Sequence, residues 1–360
     1  MSLRDLRRQV GRLAIMGFPG HAIPAELREV AAEFDLGGVI YFSRNILAPE
    51  QVLELSREAS AMARDWPLWI SVDQEGGRVA RLKSPFTLWP PAITLGRSGT
   101  DALAERFARA LAEELRAVGI NTDFAPVLDV NTNTSNPVIG DRALGERADE
   151  VARLGAVIIR TLQTAGIAAC GKHFPGHGDT SVDSHHGLPV IEHDRRRLDA
   201  VEWVPFRRAI AEDVAAIMTA HVLVLALDEE RPATTSRAAV QSVLKDAFGF
   251  QGVVMTDDLG MKAVSADASQ GRLAVDAINA GCDVVLLCNS TIDEQVEALE
   301  ALIHAAESGA LPISRIEDAF RRQRRMKERF LLPSKAPRVP LSVIGSVEHQ
   351  AVAMEMATWA

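Results

Sequence analysis

The sequence is short of cysteine, of positive charge and of long apolar runs. Its three cysteines, Cys170, Cys282 and Cys288, are an odd number without metal-site spacing, which argues against a disulfide framework. Cys170 and Cys288 lie in apolar runs and are interpreted as small core residues. No apolar stretch approaches the length of a membrane span, and no signal-type segment opens the chain. We therefore expect a cytoplasmic protein that does not associate with membranes.

The charge balance excludes a further class of partner. Acidic residues outnumber lysine and arginine by 48 to 39, which gives a formal net charge of −9. A surface of that sign disfavours broad binding to nucleic acid. The content of 47% hydrophobic and 24% charged residues is typical of a globular protein, and 360 residues allow two domains or one large α/β barrel.

Short apolar runs recur along the chain and predict strands buried on both faces, as in a parallel sheet. The eight runs are Leu13–Phe18, Gly38–Phe42, Leu68–Asp73, Ile120–Val127, Ile167–His173, Ala215–His221, Gly252–Asp257 and Asp283–Cys288. Amphipathic stretches separate several of them and predict helices. One stripe runs from Leu103 to Val118, a second from Leu154 to Leu162, and a looser one from Val264 to Ile278.

Eight strand–helix units favour an α/β fold of the (β/α)₈ TIM-barrel type over an open doubly wound sheet, which remains possible. We expect a single catalytic barrel over residues 1–332. Residues 333–360 are predicted to be a linker and a short helical tail packed on that barrel. No sequence feature points to a partner chain, and we expect a monomer.

Polar residues end many of the predicted strands. They are Asp73, Asp123, Lys172, His173, His221 and Asp257. The carboxyl ends of barrel strands carry the active site, so we expect these side chains to share one rim. Asp257 and Asp258 are adjacent and face opposite ways along a strand. We assign Asp257 to the chemistry, and Asp258 to capping the next helix or supporting its neighbour.

The segment Lys172–Pro189 carries one lysine, four histidines and two aspartates between glycines and prolines, which predicts a catalytic loop. Within it, Asp183 can orient His185 so that the imidazole moves a proton. A metal-dependent hydrolase or deaminase is the alternative. Its candidate ligands are His173, His177, Asp179, Asp183, His185 and His186. The spacing of His173 and His177 is not helical, because Phe174–Gly176 intervene, so the metal interpretation is the weaker one.

Two arginines complete the candidate site. Gly76 and Gly77 allow a tight turn that returns Arg81 toward Asp73, and such a pair can grip a polyol through paired hydrogen bonds. A purely structural ion pair is the alternative. Arg142 lies in a long loop after the fourth predicted strand and is a weak signal alone.

Taken together, these residues resemble glycoside hydrolase family 3, in its branch of bacterial β-N-acetylglucosaminidases of cell-wall recycling. The matching pieces, in family order, are Asp73–Arg81, Asn121–Val130, Ile139–Gly145, Lys172–Pro189 and Thr256–Met261. The Asp183-Ser184-His185 string marks the acetylglucosaminidase branch. The resemblance implies a (β/α)₈ barrel, no cofactor and no metal, and the single-domain form typical of cytoplasmic recycling enzymes.

The resemblance also implies a mechanism and a substrate. Asp257 matches the family nucleophile, His185 the acid/base and Asp183 the residue that polarises it. The positions that bind N-acetylglucosamine match Asp73, Arg81, Arg142, Lys172 and His173. The implied substrates are small carbohydrates, namely N-acetylglucosaminides and muropeptides. Phosphate in place of water as acceptor and a non-catalytic sugar-binding protein remain open.

Overall fold

The structure is a computed structural model that describes residues 2–182, 184, 187–266, 268–332 and 338–360. Eight parallel strands form a closed barrel in which each strand pairs with the next along the chain and the last returns to the first. They are β1 (Ala14–Met16), β2 (Gly38–Tyr41), β3 (Trp69–Val72), β4 (Thr122–Asp123), β5 (Ala168–Phe174), β6 (Ala216–Thr219), β7 (Val253–Asp258) and β8 (Val284–Leu287). Each predicted apolar run coincides with one of these strands, two of which extend one residue beyond the run, so the predicted barrel is confirmed.

Helices surround the barrel. They are α1 (Leu3–Gly11), α2 (Ala25–Phe34), α3 (Pro49–Ala61), α4 (Ile93–Ser98), α5 (Asp101–Ala117), α6 (Ala148–Thr164), α7 (Arg195–Ala200), α8 (Val204–Ala211), α9 (Lys262–Ser265), α10 (Gln270–Ala280), α11 (Ile292–Glu307), α12 (Ile313–Phe330) and α13 (Val347–Ala357). A π-type helix covers Ala238–Ala247, and short 3₁₀ turns lie at Ser43–Asn45, Gly140–Arg142, Ala233–Thr235 and Leu341–Val343. No helix in the described ranges is long and apolar enough to cross a membrane.

The helical stripes behave as predicted, with one exception. In α5 the stripe that includes Leu103, Phe107 and Leu111 is buried against the barrel. The looser stripe from Val264 to Ile278 was predicted as one helix, but the structure divides it into α9 and α10. The division has a local cause: the Ser269 side chain accepts a hydrogen bond from the N–H of Arg272 and starts a new helix.

The barrel interior is apolar at its amino end and closed there by α12. Met326 and Phe330 pack with the inward side chains of the strands, among them Trp69. Lys327 is buried beside them and donates to the carbonyl of Gly37, just before β2, at 2.9 Å. All three cysteines are buried and free, as expected of core residues. The carboxyl ends of the strands are therefore where a cleft can form.

Two small sheets lie outside the barrel. A parallel pair joins Val190–Ile191 to Leu223–Val224. An antiparallel hairpin joins Gln74–Gly76 to Val79–Ala80 directly after β3. We call residues 74–81 the β3 hairpin, and it carries part of the site described next.

Candidate active site

A cavity of about 260 Å³ opens at the carboxyl rim of the barrel. Its lining includes Asp73, Glu75, Arg78, Arg81, Arg142, Lys172, His173, His177, Ser184 and Asp257. The six predicted site residues in the described part of the chain all contribute to this wall. Asp183 and His185 lie outside the described residues. Ser184, the residue between them in sequence, lines the cavity and is buried.

Lys172 is the cation at the base of the cavity. Its Nζ lies 2.7 Å from Asp73 Oδ1 and 2.6 Å from Glu75 Oε1, and the side chain is almost fully buried near the end of β5. Burial acts to lower the pKa of Lys172, but the charges of Asp73 and Glu75 outweigh it and raise that pKa above its ordinary value. The ammonium therefore stays charged and holds both carboxylates in position.

Arg142 shares Glu75 with Lys172. Its guanidinium forms two 2.8 Å hydrogen bonds to the two Glu75 oxygens, which is the bidentate arrangement. Burial tends to raise the pKa of Glu75, yet the charges of Arg142 and Lys172 hold it well below its usual range. Sequence reasoning did not assign Glu75. Its place directly before Gly76 was the available signal, because a turn there fixes where the preceding side chain points.

The β3 hairpin brings Arg81 back to Asp73 as the glycine pair indicated. Gly76 and Gly77 adopt φ values of +98° and +57°, which favour glycine. Arg81 then lies 3.4 Å from Asp73 through Nη2 and Oδ2. The Gln74 side chain accepts the backbone N–H of Arg81 at 2.8 Å, which fixes the backbone position of that arginine. Asp73 consequently faces the cavity between two cations.

Asp257 also lines the cavity and lies near the end of β7. Its Oδ1 accepts the N–H of Asp258 at 2.8 Å, and the side chain is half-buried at the cavity. Burial acts to raise the pKa of Asp257, but the imidazoles of His221 and His173 and the Asp258 N–H together lower it. An aspartate with a lowered pKa is ionised near neutral pH, as a nucleophile must be.

Asp258 supports this arrangement instead of capping a helix. Its carboxylate accepts the N–H groups of Gly260 and Cys288 and the side-chain amide of Asn289, at 2.9–3.1 Å. The next helix begins only at Lys262. The predicted capping role is therefore wrong, because the strand continues through Asp258 and a turn follows. The supporting role is confirmed, since these bonds hold the backbone that donates to Asp257.

Two histidines of the Lys172–Pro189 segment, His173 and His177, also line the cavity. Asp129 accepts the His173 backbone N–H and lies 2.7 Å from His173 Nδ1. It also accepts the His177 N–H at 2.7 Å. This contact sets the orientation of His173, whose Nε2 lies 3.4 Å from Arg142. Asp129 was not predicted, although it lies in the Asn121–Val130 piece that carries the family resemblance.

Two of the predicted rim residues do not line the cavity. Asp123 is fully buried beneath the β3 hairpin, where Oδ1 accepts the N–H of Gln74. Burial raises its pKa well above the ordinary value. His221 is buried between the Thr234 hydroxyl and the Asp258 carbonyl, at 2.8 and 3.0 Å. Both support the rim from below, because the strands bury their side chains under the residues that face the cavity.

The described members of the proposed metal cluster each have protein partners of their own. His177 lies against Thr180 and Ser184 through its two ring nitrogens, and burial lowers its pKa to about 4. Asp179 contacts Thr132 and His193. Among the residues that the structure describes, no group of three or more His, Cys, Asp and Glu side chains could hold a metal ion. His186, like Asp183 and His185, lies outside them.

The arrangement suits a substrate that carries several hydroxyl groups. Lys172 and Arg81 can donate to hydroxyl oxygens, while Asp73 between them keeps lone pairs free to accept hydroxyl protons. An ionised Asp257 lines the same cavity as these polar side chains.

Comparison with known proteins identifies the family. The model of the glycosyl hydrolase family 3 N terminal domain matches residues 5–326. The chain belongs to glycosyl hydrolase family 3.

Individual relatives agree with this assignment. Beta-hexosaminidase A of Pseudoalteromonas piscicida is 33% identical over 93% of this chain, which spans only 60% of that protein. A family 3 β-N-acetylglucosaminidase from Paenibacillus sp. str. FPU-7 superposes with a TM-score of 0.92 at 41% identity, covering 100% of this chain and 69% of that one. NagZ from Neisseria gonorrhoeae, solved in complex with N-trifluoroacetyl-D-glucosamine, gives 0.80 at 31% identity, with 97% and 98% coverage.

Proposed function

We propose that this protein is a retaining exo-β-N-acetylglucosaminidase that releases terminal N-acetylglucosamine from peptidoglycan fragments. The substrates would be GlcNAc-β-1,4-anhydroMurNAc-peptides, cleaved through a covalent glycosyl-aspartate intermediate. The relatives named above support the sugar, since two are β-hexosaminidases or β-N-acetylglucosaminidases by name and the third binds an N-acylated glucosamine. The fragment is the implication of the family resemblance.

One observation carries the mechanism: Asp257 lines the same cavity as Asp73, Arg81 and Lys172. A sugar held by its hydroxyls on that polar wall would present its anomeric carbon to Asp257. Asp257 accepts the Asp258 N–H through Oδ1, and Oδ2 is the second carboxylate oxygen. That oxygen can attack as the leaving oxygen departs.

In the first step, Asp257 forms the bond to the anomeric carbon while His185 protonates the leaving oxygen. In the second step, His185 removes a proton from water, which attacks the same carbon and releases Asp257. Retaining enzymes usually place two carboxylates about 5–5.5 Å apart for these roles. A histidine acid removes one negative charge from the site, so an ionised Asp257 and its proton donor do not repel each other.

The test compares an aryl β-N-acetylglucosaminide with the matching aryl β-glucoside, each with and without excess chelator. Turnover of the acetamido sugar alone, unchanged by chelator, is the expected result. Loss of activity with chelator would favour the metal-dependent alternative, and turnover of both sugars alike would refute the substrate class. Repeating the assay in phosphate buffer decides the acceptor, because phosphorolysis would yield a sugar 1-phosphate.

A further inference from the structure

A buried carboxylate on α5 joins two segments that are distant in sequence. Glu114 accepts the Thr87 N–H, the Thr87 hydroxyl at 2.6 Å, and the Gly345 N–H at 2.9 Å. It also lies 3.0 Å from His349 Nδ1 on α13. Glu114 is 2% exposed and His349 is 5% exposed. Because these donors share one buried carboxylate, the segments that contain Thr87, Gly345 and His349 are held in place relative to α5.

His349 is the imidazole partner of this cluster. Its Nε2 lies 3.2 Å from Glu113, so the ring bridges two neighbouring carboxylates of α5. Both carboxylates act on the pKa of His349. From α4, Arg97 donates to the carbonyl of Trp359. Burial acts to lower the pKa of His349, but the hydrogen bonds to Glu114 and Glu113 raise it above the ordinary value.

The segment that contains Thr87 also supports the β3 hairpin. The Trp89 carbonyl accepts the N–H of Gly77 at 2.8 Å. A Cβ placed on Gly76 would come within 2.6 Å of the Pro90 carbonyl, and one on Gly77 within 2.8 Å of Pro91. The turn of the hairpin is therefore seated on residues 89–91 without space between them.

The same segment is held on its other face by the His349 cluster. The Trp89 ring packs edge-on against Phe107 of α5 and lies 6.5 Å from the His349 ring. A Cβ on Gly345 would come within 2.3 Å of the Pro85 carbonyl, so residue 345 touches this segment directly. Contacts are continuous from α13 to the hairpin that presents Glu75 and Arg81 to the cavity.

We propose that His349 is a positioning residue for the sugar-binding wall: with Glu114 and Thr87 it clamps residues 83–91, against which the Gly76–Gly77 turn of the β3 hairpin is seated. The proposal rests on the proposed glycosidase activity for its kinetic consequences. It predicts that loosening the clamp weakens substrate binding more than the chemical step, because Asp257 stands on a different strand.

The test uses His349→Gln in the full chain, with Arg106→Ala as the matched control. Arg106 of α5 pairs with Glu355 of α13 and so joins the same two helices. This pair is exposed, and neither residue is one of the Glu114 contacts given above. We expect KM of the aryl β-N-acetylglucosaminide to rise roughly threefold to tenfold in His349→Gln. We expect kcat to change little, and Arg106→Ala to match wild type.

The pH dependence separates positioning from a merely structural role. Because the pKa of His349 is raised in the folded state, the charge of His349 stabilises the clamp fully below about pH 6.5. This stabilisation is lost as the pH rises through the folded-state pKa. The ratio of KM between His349→Gln and wild type should therefore be largest in acid and decline with rising pH. A lowered melting temperature with an unchanged KM would overturn the proposal.

Hydrogen exchange gives a readout that does not need activity. In His349→Gln the amides of residues 74–80, and Gly77 above all, should exchange faster, with no change in Arg106→Ala. If the wild type turns over no aryl glycoside, the proposed function fails. Amide hydrogen exchange alone then decides whether His349 holds the β3 hairpin in place. Thr87→Val removes the hydroxyl donor to Glu114 and should act in the same direction, so it replaces His349→Gln if that variant does not fold. Unchanged exchange and unchanged KM in the folded variant would refute the clamp.

Discussion

Replacing Asp257 by asparagine removes the proposed nucleophile with little other change. The amide oxygen of asparagine can still accept the Asp258 N–H that Asp257 Oδ1 accepts at 2.8 Å. The structural cost should therefore be about 1 kcal/mol, the scale of one hydrogen bond. The neutral amide cannot form a stable ester with the sugar, so kcat should fall by roughly 10⁴-fold or more, which is about 5.5 kcal/mol of barrier.

The assay is steady-state release of the aryl group, with circular dichroism and thermal unfolding on the same preparations. Asp149→Asn is the matched control: it is the same substitution at an exposed position, where Asp149 forms a surface ion pair with Arg147. The control should keep wild-type kinetics. Near wild-type turnover by folded Asp257→Asn would show that another group attacks the sugar.

Three further predictions concern the acid, the buried lysine of the site and the buried lysine of the barrel floor. His185→Ala should lose roughly 10²- to 10⁴-fold in kcat/KM on a disaccharide but far less on an aryl glycoside with a good leaving group, since only the poor leaving group needs a proton; equal losses would contradict the acid role. Lys172→Met leaves Asp73 and Glu75 without the ammonium that both contact, so urea unfolding should show a loss of about 3 kcal/mol; a loss below about 1 kcal/mol would refute a stabilising role. Burial lowers the pKa of Lys327 to about 7, so the unfolded chain binds more protons than the folded one between pH 7 and about 10.4. Proton linkage gives about 4 kcal/mol at pH 7, and the lost hydrogen bond to Gly37 offsets about 1 kcal/mol of it. Lys327→Met should therefore stabilise the protein by roughly 3 kcal/mol at pH 7, and the gain should shrink toward pH 10; a gain independent of pH would contradict this account.

The barrel was predictable because its strands are buried on both faces. A strand such as β8 has no polar side to interrupt its apolar run, so the run itself marks the element. The fourth strand is reduced to Thr122–Asp123, yet the run around it still located it. The break between α9 and α10 was missed, because the Ser269 cap competes with a continuous helical stripe.

The site was predictable where residues follow strands directly, and less so where contacts depend on the fold. Asp73, Lys172 and Asp257 could be placed at the rim from sequence position alone. Glu75 and Asp129 could not, because their roles come from partners 97 or 44 residues away along the chain, and only the closed barrel brings those together. The roles assigned to Asp183 and His185, and the boundary at residue 332, stay predictions.

The most direct test of the mechanism is to trap the glycosyl-enzyme. The reagent is an N-acetylglucosaminyl donor with fluorine at C5 of the ring and a good leaving group at C1. The fluorine slows both steps, but the good leaving group restores the rate of the first step, so the intermediate accumulates. Mass spectrometry of the digested protein should find the added sugar on the peptide that contains Asp257, and none in Asp257→Asn. Turnover without any labelled peptide, or a label on a different carboxylate, would contradict the proposed covalent intermediate at Asp257.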